Sequence, residues 1–412
     1  MRKTLRRTVT GLAAAIAFAT SPGSLAAATY EFSLIADTTG PFNGFGQFVS
    51  INNNGTVAFN AGLDAGGIGF FTGSGGPTTT IADSNGPIST FTGGVGVIND
   101  SGTVAFFATL DTGVRGIFAG NGGPLTPIAT QGAVFTTAFG FVPSINNSGV
   151  VAFSGGLVAG KQGIFTGSGG AVSTISTVDG PVLLGPLLSD PTINNAATVA
   201  FRARLGTSPS FTFSILTGNG GPLTTIASTT SGFTILGSPP AINDAGTVAF
   251  RGSNPFGGIF TGAGGPIATV ADSAGPLNIV LANHNVAIND AGHVAFLVNL
   301  DAGGDCILTG PNRADDAVIC QGDALFGSTV GHPTLPFLTT GNLGFFRDGL
   351  NGSDELAFWA RLTDGRQVVV RATPLDAATV PEPGALAMVA SGLPMILLAA
   401  RRMRRRASGV AA

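Results

Sequence analysis

One pattern of apolar and polar positions returns seven times along this chain. Each copy opens with an aliphatic residue and asparagine, passes through a short polar stretch that usually holds glycine, and ends in Ala-Phe. The copies occupy residues 51–59 (INNNGTVAF), 98–106 (INDSGTVAF), 145–153 (INNSGVVAF), 193–201 (INNAATVAF), 242–250 (INDAGTVAF), 288–296 (INDAGHVAF) and 350–358 (LNGSDELAF). Their starts are 47, 47, 48, 49, 46 and 62 residues apart. A recurrence of this length marks a repeat architecture in which each unit buries its apolar face against its neighbours.

Within a copy, Asn-x-x-Gly is turn chemistry. The Asn side chain hydrogen-bonds nearby backbone, and Gly accepts a positive φ. Val57 and Phe59 then alternate onto one face of a strand, and the small Ala58 faces the other way, as suits a sheet packed closely on both sides. A second strand follows, as at 116–120 (GIFAG), 163–167 (GIFTG) and 258–262 (GIFTG). A Gly-Gly-Pro turn often comes next, at 122–124 and 220–222, and leads to a third strand such as 78–83 (TTTIAD) or 223–228 (LTTIAS). The residues before each Ile-Asn, such as 45–51, supply a fourth. Four short strands per repeat of about 47 residues is the size of one propeller blade.

The ends of the array separate a closed ring from an open one. The last repeat has strands at 356–362 and 367–372, joined through Asp364 and Gly365, and then lacks its outer strand. Residues 30–37 (YEFSLIAD) have the sequence of that missing strand. An N-terminal strand that completes the last blade removes the exposed edge. The prediction is an all-β, seven-bladed β-propeller over residues 29–380, closed by its N-terminal strand. The alternative is an open β-solenoid or stacked sheets. The repeat resembles that of bacterial tandem-repeat proteins named for an Asn-x-x-Gly-x-x-Ala-Phe motif. The resemblance covers nearly all of 29–380 and implies no particular activity.

The two ends of the chain carry a different pattern. Arg2, Lys3, Arg6 and Arg7 precede an apolar run at 11–19, followed by Ser21-Pro22 and by Ala26-Ala27-Ala28. That order reads as a cleavable signal helix over residues 1–28, cut after Ala28. At the other end, Pro381-Glu382-Pro383 precedes an apolar run at 384–400, and Arg401, Arg402, Arg404, Arg405 and Arg406 lie in the tail 401–412. As a helix the run reaches about 26 Å, near the minimum for a single transmembrane span. The arginines hold their end on the cytoplasmic side, which places the repeats outside. This tripartite end, residues 381–412, resembles the PEP-CTERM sorting signal of Gram-negative bacteria. The resemblance implies an exosortase as processing partner and a destination at the cell surface or in the extracellular matrix. An ordinary membrane anchor is the alternative.

Charge narrows the partners. Residues 29–380 hold ten basic and twenty-one acidic side chains, a formal charge of −11. A nucleic-acid partner is excluded on that ground, because phosphate binding needs a basic surface. Lysine and glutamate are scarce, so little helix is expected. Glu31 and Glu355 are the only glutamates of the repeat region, which argues against a hydrolase built on paired glutamates.

Candidate chemistry is sparse. Cys306 and Cys320 fall on strands expected to be hairpin neighbours, so a disulfide is feasible, with free thiols or a metal pair as alternatives. The histidines are His284, His293 and His332. Asp315 and Asp316 fall in an expected turn, and Asp323 begins the irregular stretch 321–344 that explains the 62-residue spacing. Long loops on rigid scaffolds often carry function, so this stretch is a candidate metal or ligand loop, with an ornamental loop of solvated side chains as the preferred alternative. The repeated turns, such as Asn243-Asp244 and Asn289-Asp290, should form a ring able to meet calcium or sugar hydroxyls, although turn formation alone explains them. Strings such as 73–76 (GSGG) lack a following helix and read as hairpin turns, not phosphate loops. No Gly-x-Ser-x-Gly or His-Glu-x-x-His motif occurs. No catalytic residue, metal site or cofactor is therefore assigned, with calcium as the one weak candidate. The expected function is a non-catalytic surface or matrix scaffold associated with exopolysaccharide. The alternative is a propeller lyase or hydrolase acting on polysaccharide.

Overall fold

The computed structural model describes residues 29–91, 94–178, 190–206, 211–237, 239–279, 286–332 and 341–375. The expected signal peptide (1–28), the sorting signal (381–412) and His284 lie outside the described residues. Among the described residues, no helix is long and apolar enough to cross a membrane.

Seven antiparallel sheets form a closed β-propeller. Blades 1 to 7 are built on the strands Val57–Leu63, Val104–Leu110, Val151–Leu157, Val199–Leu205, Val248–Ser253, Val294–Leu300 and Leu356–Arg361. In blade 1 the order from the axis outward is Ser50–Ile51 with Phe42–Phe45, then Val57–Leu63, Ile68–Gly73 and Thr79–Asp83. The other blades repeat it. Blade 7 is completed by Thr29–Asp37, which runs antiparallel to Gln367–Leu375 from Thr29 opposite Leu375 to Asp37 opposite Val368. The array is thus closed as the missing outer strand indicates.

The Ala-Phe alternation explains how the blades stack. Phe59 stands opposite Phe71 across the strand pair, with ring centroids 5.9 Å apart. That aromatic pair packs on the preceding blade at Ala357, which is fully buried. Phe106 meets Ala58, Phe153 meets Ala105, Phe201 meets Ala152, Phe250 meets Ala200, Phe296 meets Ala249 and Phe358 meets Ala295 in the same way. Each alanine is the gap into which the next blade's phenylalanine fits. Burying one such ring contributes about 3 kcal/mol, and the seven-fold set closes on itself.

Two irregularities break the repeat. In the inner strand of blade 7, Leu343–Leu350, the register jumps between Phe345 opposite Phe358 and Leu350 opposite Leu356. Phe346, Arg347, Asp348 and Gly349 face Ala357 alone, so the strand bows toward the axis. The second irregularity is the stretch after blade 6. Its hairpin, Ala324–Leu325 with Ser328–Thr329, buries Leu325 and Val330 in the core shared by blades 6 and 7. Asp315 and Asp316, expected in a turn, instead lie in one helical turn, Arg313–Asp316, capped by Asn312.

Candidate functional site: the axial channel

The asparagine of every repeat lies at the axis, buried, at one end of the central channel. Its Oδ1 accepts the backbone N–H four residues on, at 2.8 to 3.0 Å in all seven repeats. Its Nδ2 donates to the backbone carbonyl of the next blade's asparagine. The links run Asn52 to Asn99, then Asn146, Asn194, Asn243, Asn289, Asn351 and back to Asn52, at 2.9 to 3.2 Å. The ring needs a donor and an acceptor on one short arm, which asparagine has and an ionised aspartate lacks.

A second, more exposed ring surrounds the first. The N–H of the residue after each asparagine donates to the side chain of its counterpart in the next blade, at 2.7 to 3.0 Å. This ring is made of Asn53, Asp100, Asn147, Asn195, Asp244 and Asp290, and Gly352 interrupts it because it has no side chain. The expected ring of Asn-Asp turns is thus present, with its polar atoms bonded mainly to one another.

Inside the rings, the residues that precede the asparagines, from Ile51 to Leu350, form an aliphatic belt between two spaces. On the asparagine side the channel holds about 140 Å³. On the far side a chamber of about 110 Å³ meets Thr192, Arg347 and Asp348.

Arg347 is the centre of a charged cluster beside the far chamber. Its side chain is fully buried and pairs with Asp348 at 3.2 Å. It crosses from blade 7 to donate to the carbonyls of Pro143, at 3.3 Å, and Asp190, at 3.4 Å. It also stacks 5.0 Å from the ring centroid of Phe346. Burial raises the pKa of both Asp190 and Asp348, and the positive charge of Arg347 opposes that rise. Sequence reasoning missed this cluster, because its carbonyl partners leave no mark in a sequence.

The remaining candidates sit elsewhere. Cys306 and Cys320 stand opposite each other in register in blade 6 and are disulfide-bonded. Beside them, the buried Asp305 accepts from Gly341 N–H at 2.7 Å and from Asn299 at 2.6 Å, which ties the start of blade 7 to blade 6. Burial raises its pKa, and these hydrogen bonds oppose the rise. Asp323 accepts from the Cys320 N–H at 2.7 Å, and Asp316 from Asn312 N–H at 2.8 Å, so both cap turns. Asp315 also bonds Asn312. His293 bonds Asp354 at 2.8 Å on the rim, and His332 ends the first described part of the inserted stretch, 321–332. That stretch clips onto blade 7: Arg366 donates to the Phe326 carbonyl at 2.8 Å, and Thr363 N–H to Thr329 at 2.9 Å. Its described part is a latch. Among the described residues, no group of three or more His, Cys, Asp or Glu side chains could hold a metal ion.

Fold and channel together define a closed seven-bladed propeller with an asparagine-ringed axis. A family of unknown function (DUF7453) matches residues 145–324, less than half of the chain. No curated protein matches. Among solved structures, prolyl oligopeptidase B from Galerina marginata aligns at TM-score 0.47 and 6% identity, over 78% of this chain and 46% of that one. A puromycin-hydrolyzing peptidase of Mycobacterium tuberculosis aligns at 0.47 and 12%, over 87% and 57%. YCF48 from Cyanidioschyzon merolae aligns at 0.43 and 12%, over 83% and 99%. The chain thus spans about half the length of the two peptidases, and the fold assignment rests on its own sheet order.

Proposed function

We propose that the protein is an exported, non-catalytic scaffold of the cell surface or extracellular matrix that presents its rim to exopolysaccharide. The observation that carries this reading is how the axial polar groups are used. The two rings bond chiefly to themselves, and Arg347 is satisfied by Asp348 and two carbonyls. Groups held in this way rigidify a fold and leave few donors or acceptors for a substrate. Export and surface delivery rest on residues 1–28 and 381–412, with an exosortase as processing partner. The test of binding is retardation of the protein in gels that contain exopolysaccharide, compared with polymer-free gels. Equal mobility in both counts against it. The test of sorting is the substitution of Pro381, Glu382 and Pro383 by alanine, which should leave the protein unprocessed in the membrane.

A polysaccharide-cleaving enzyme is the second reading. It is favoured by one observation, two carboxyls of raised pKa near one arginine by the axial chamber. Shortening of the polymer, abolished by Asp348→Asn, would establish it.

A further inference from the structure

Asp190–Pro191 is the only Asp-Pro bond in the chain, and the fold sets it beside the far axial chamber. Asp190 is half-buried and Pro191 is buried. Thr192, next along, begins the inner strand of blade 4 and lines the chamber together with Arg347 and Asp348.

Three features set this bond apart. The first is the leaving group. Pro191 offers a tertiary amide nitrogen with no N–H, and it departs as a basic secondary amine that takes up a proton readily. The second is the carbonyl. Nη1 of Arg347 donates from blade 7 to the Asp190 carbonyl oxygen at 3.4 Å, while Nη2 is anchored on the Pro143 carbonyl at 3.3 Å and Nε on Asp348 at 3.2 Å. A fixed cation there makes the carbonyl carbon more electrophilic and stabilises negative charge on its oxygen, as an oxyanion donor does. The third is the Asp190 side chain. Its carboxyl can close a five-membered ring on the main-chain carbonyl carbon of the same residue, with no second molecule to position. Toward blade 3 this carboxyl meets Gly140 and the Val142 N–H, both uncharged. Toward blade 7 it meets the charge of Arg347, which Asp348 pairs. Burial raises its pKa, against the pull of Arg347 and the Val142 N–H, so it keeps its proton to a higher pH than a solvated aspartate does.

We propose that Asp190 cleaves its own bond to Pro191, with Arg347 polarising the scissile carbonyl. A carboxyl oxygen of Asp190 bonds to the main-chain carbonyl carbon. The C–N bond to Pro191 breaks, and the carboxyl proton passes to the Pro191 nitrogen. The products are a cyclic anhydride at residue 190 and a free secondary amine at Pro191. One water, for which the chamber of about 110 Å³ has room, opens the anhydride to two carboxyls. The new terminal carboxylate forms at the carbonyl that Arg347 already holds, and a charged pair is stronger than the bond it replaces. The two pieces stay in one propeller, because Asn146 donates to the Asn194 carbonyl at 3.2 Å and Phe201 packs on Ala152 across the same two blades. This self-processing is independent of what the rim binds.

The experiment is incubation of the purified full-length protein at pH 5 and pH 7, folded and in concentrated urea, read by intact mass and N-terminal sequencing. The folded protein yields a fragment that begins Pro191-Thr192-Ile193. It forms about tenfold or more faster at pH 5 than at pH 7, and about tenfold or more faster than from the unfolded chain at pH 5. Asp190→Asn stops cleavage at this rate. Arg347→Lys, which keeps the charge without the fork, slows it by about tenfold. Pro191→Ala slows it too and leaves Asp190 and Arg347 in place. Equal rates from folded and unfolded chains would reduce the effect to the acid lability of any Asp-Pro bond and overturn the proposal. An uncut folded protein at pH 5 also overturns it, as does undiminished cleavage in Asp190→Asn or Arg347→Lys.

Discussion

The Asn351 side chain donates to the Asn52 carbonyl at 3.0 Å, across 299 positions of sequence, and this bond joins the last blade to the first. It belongs to a cycle of seven, so every blade holds the next by the same residue. Asn194→Ala removes one link: the Asn243 carbonyl keeps only the Gly246 N–H, and the Thr198 N–H is left without a partner, at a cost of about 1–3 kcal/mol. Asn194→Asp keeps the acceptor and loses the donor, so its deficit should grow as pH rises through the ordinary aspartate range. Urea unfolding at pH 4 and pH 7 reads both effects. Wild-type midpoints for either variant would remove the ring from the account of stability.

Closure by the N-terminal strand gives a second expectation. Deleting residues 29–37 uncovers the edge of Gln367–Leu375, and an uncovered edge pairs with other chains. It also removes Asp37, which pairs with Arg366 at 3.7 Å, and frees the adjoining Thr38, whose hydroxyl accepts from the Gln367 N–H at 3.1 Å. Light scattering should show oligomers, and the melting temperature should fall by about 5 °C or more. A monomer that melts like the full protein would contradict closure.

Ala197 gives a third. The turn position that is glycine in five repeats is Ala197 in blade 4, at φ 59°, and Asp354 in blade 7, at φ 60°. At Gly102, Gly149, Gly246 and Gly292 an added Cβ would meet nothing within 4 Å, so the demand there is conformational and not spatial. Ala197→Gly should therefore stabilise the protein, by about 1 kcal/mol, by relieving a left-handed alanine. Chemical denaturation measures the gain, and a loss would show that Ala197 makes compensating contacts.

The buried acids make stability depend on pH. Asp190 has a folded pKa raised above 3.8, first by burial. Its favourable contribution is therefore complete below about pH 4 and is lost as pH rises through the raised folded value. Asp348 acts in the same sense. Asp190→Asn removes one of the two. The stability of the wild type relative to this variant should fall steadily from pH 4 to pH 7 in thermal melts. A difference that rises with pH would mean that Arg347 holds the Asp190 carboxyl below its ordinary value.

Much of the fold was legible because its causes are local. The Val-Ala-Phe alternation encodes a strand with two packed faces, and residues 30–37 match the strand that 367–372 lacks. The Asn-x-x-Gly turn was legible too, but only half of its purpose. The acceptor of each Asn Nδ2 lies in the next repeat, and nothing in a linear pattern says that the asparagines meet at an axis. Arg347 was missed for a related reason: a three-residue excess in one strand is invisible without its partner, and backbone carbonyls are sequence-independent acceptors. The stretch 321–344 was legible in its length and not in its packing. Its length suggested a ligand loop, yet Leu325 and Val330 are core residues, and an apolar pair within a polar segment was the available signal.

The most direct test of a non-catalytic scaffold is to incubate the purified full-length protein with exopolysaccharide, with and without calcium. Bound protein and polymer chain length are then measured together. Retention of the protein on polymer of unchanged length is the predicted result. Progressive shortening of the polymer would contradict it and move the chemistry to Arg347, Asp348 and Asp190 by the axial chamber.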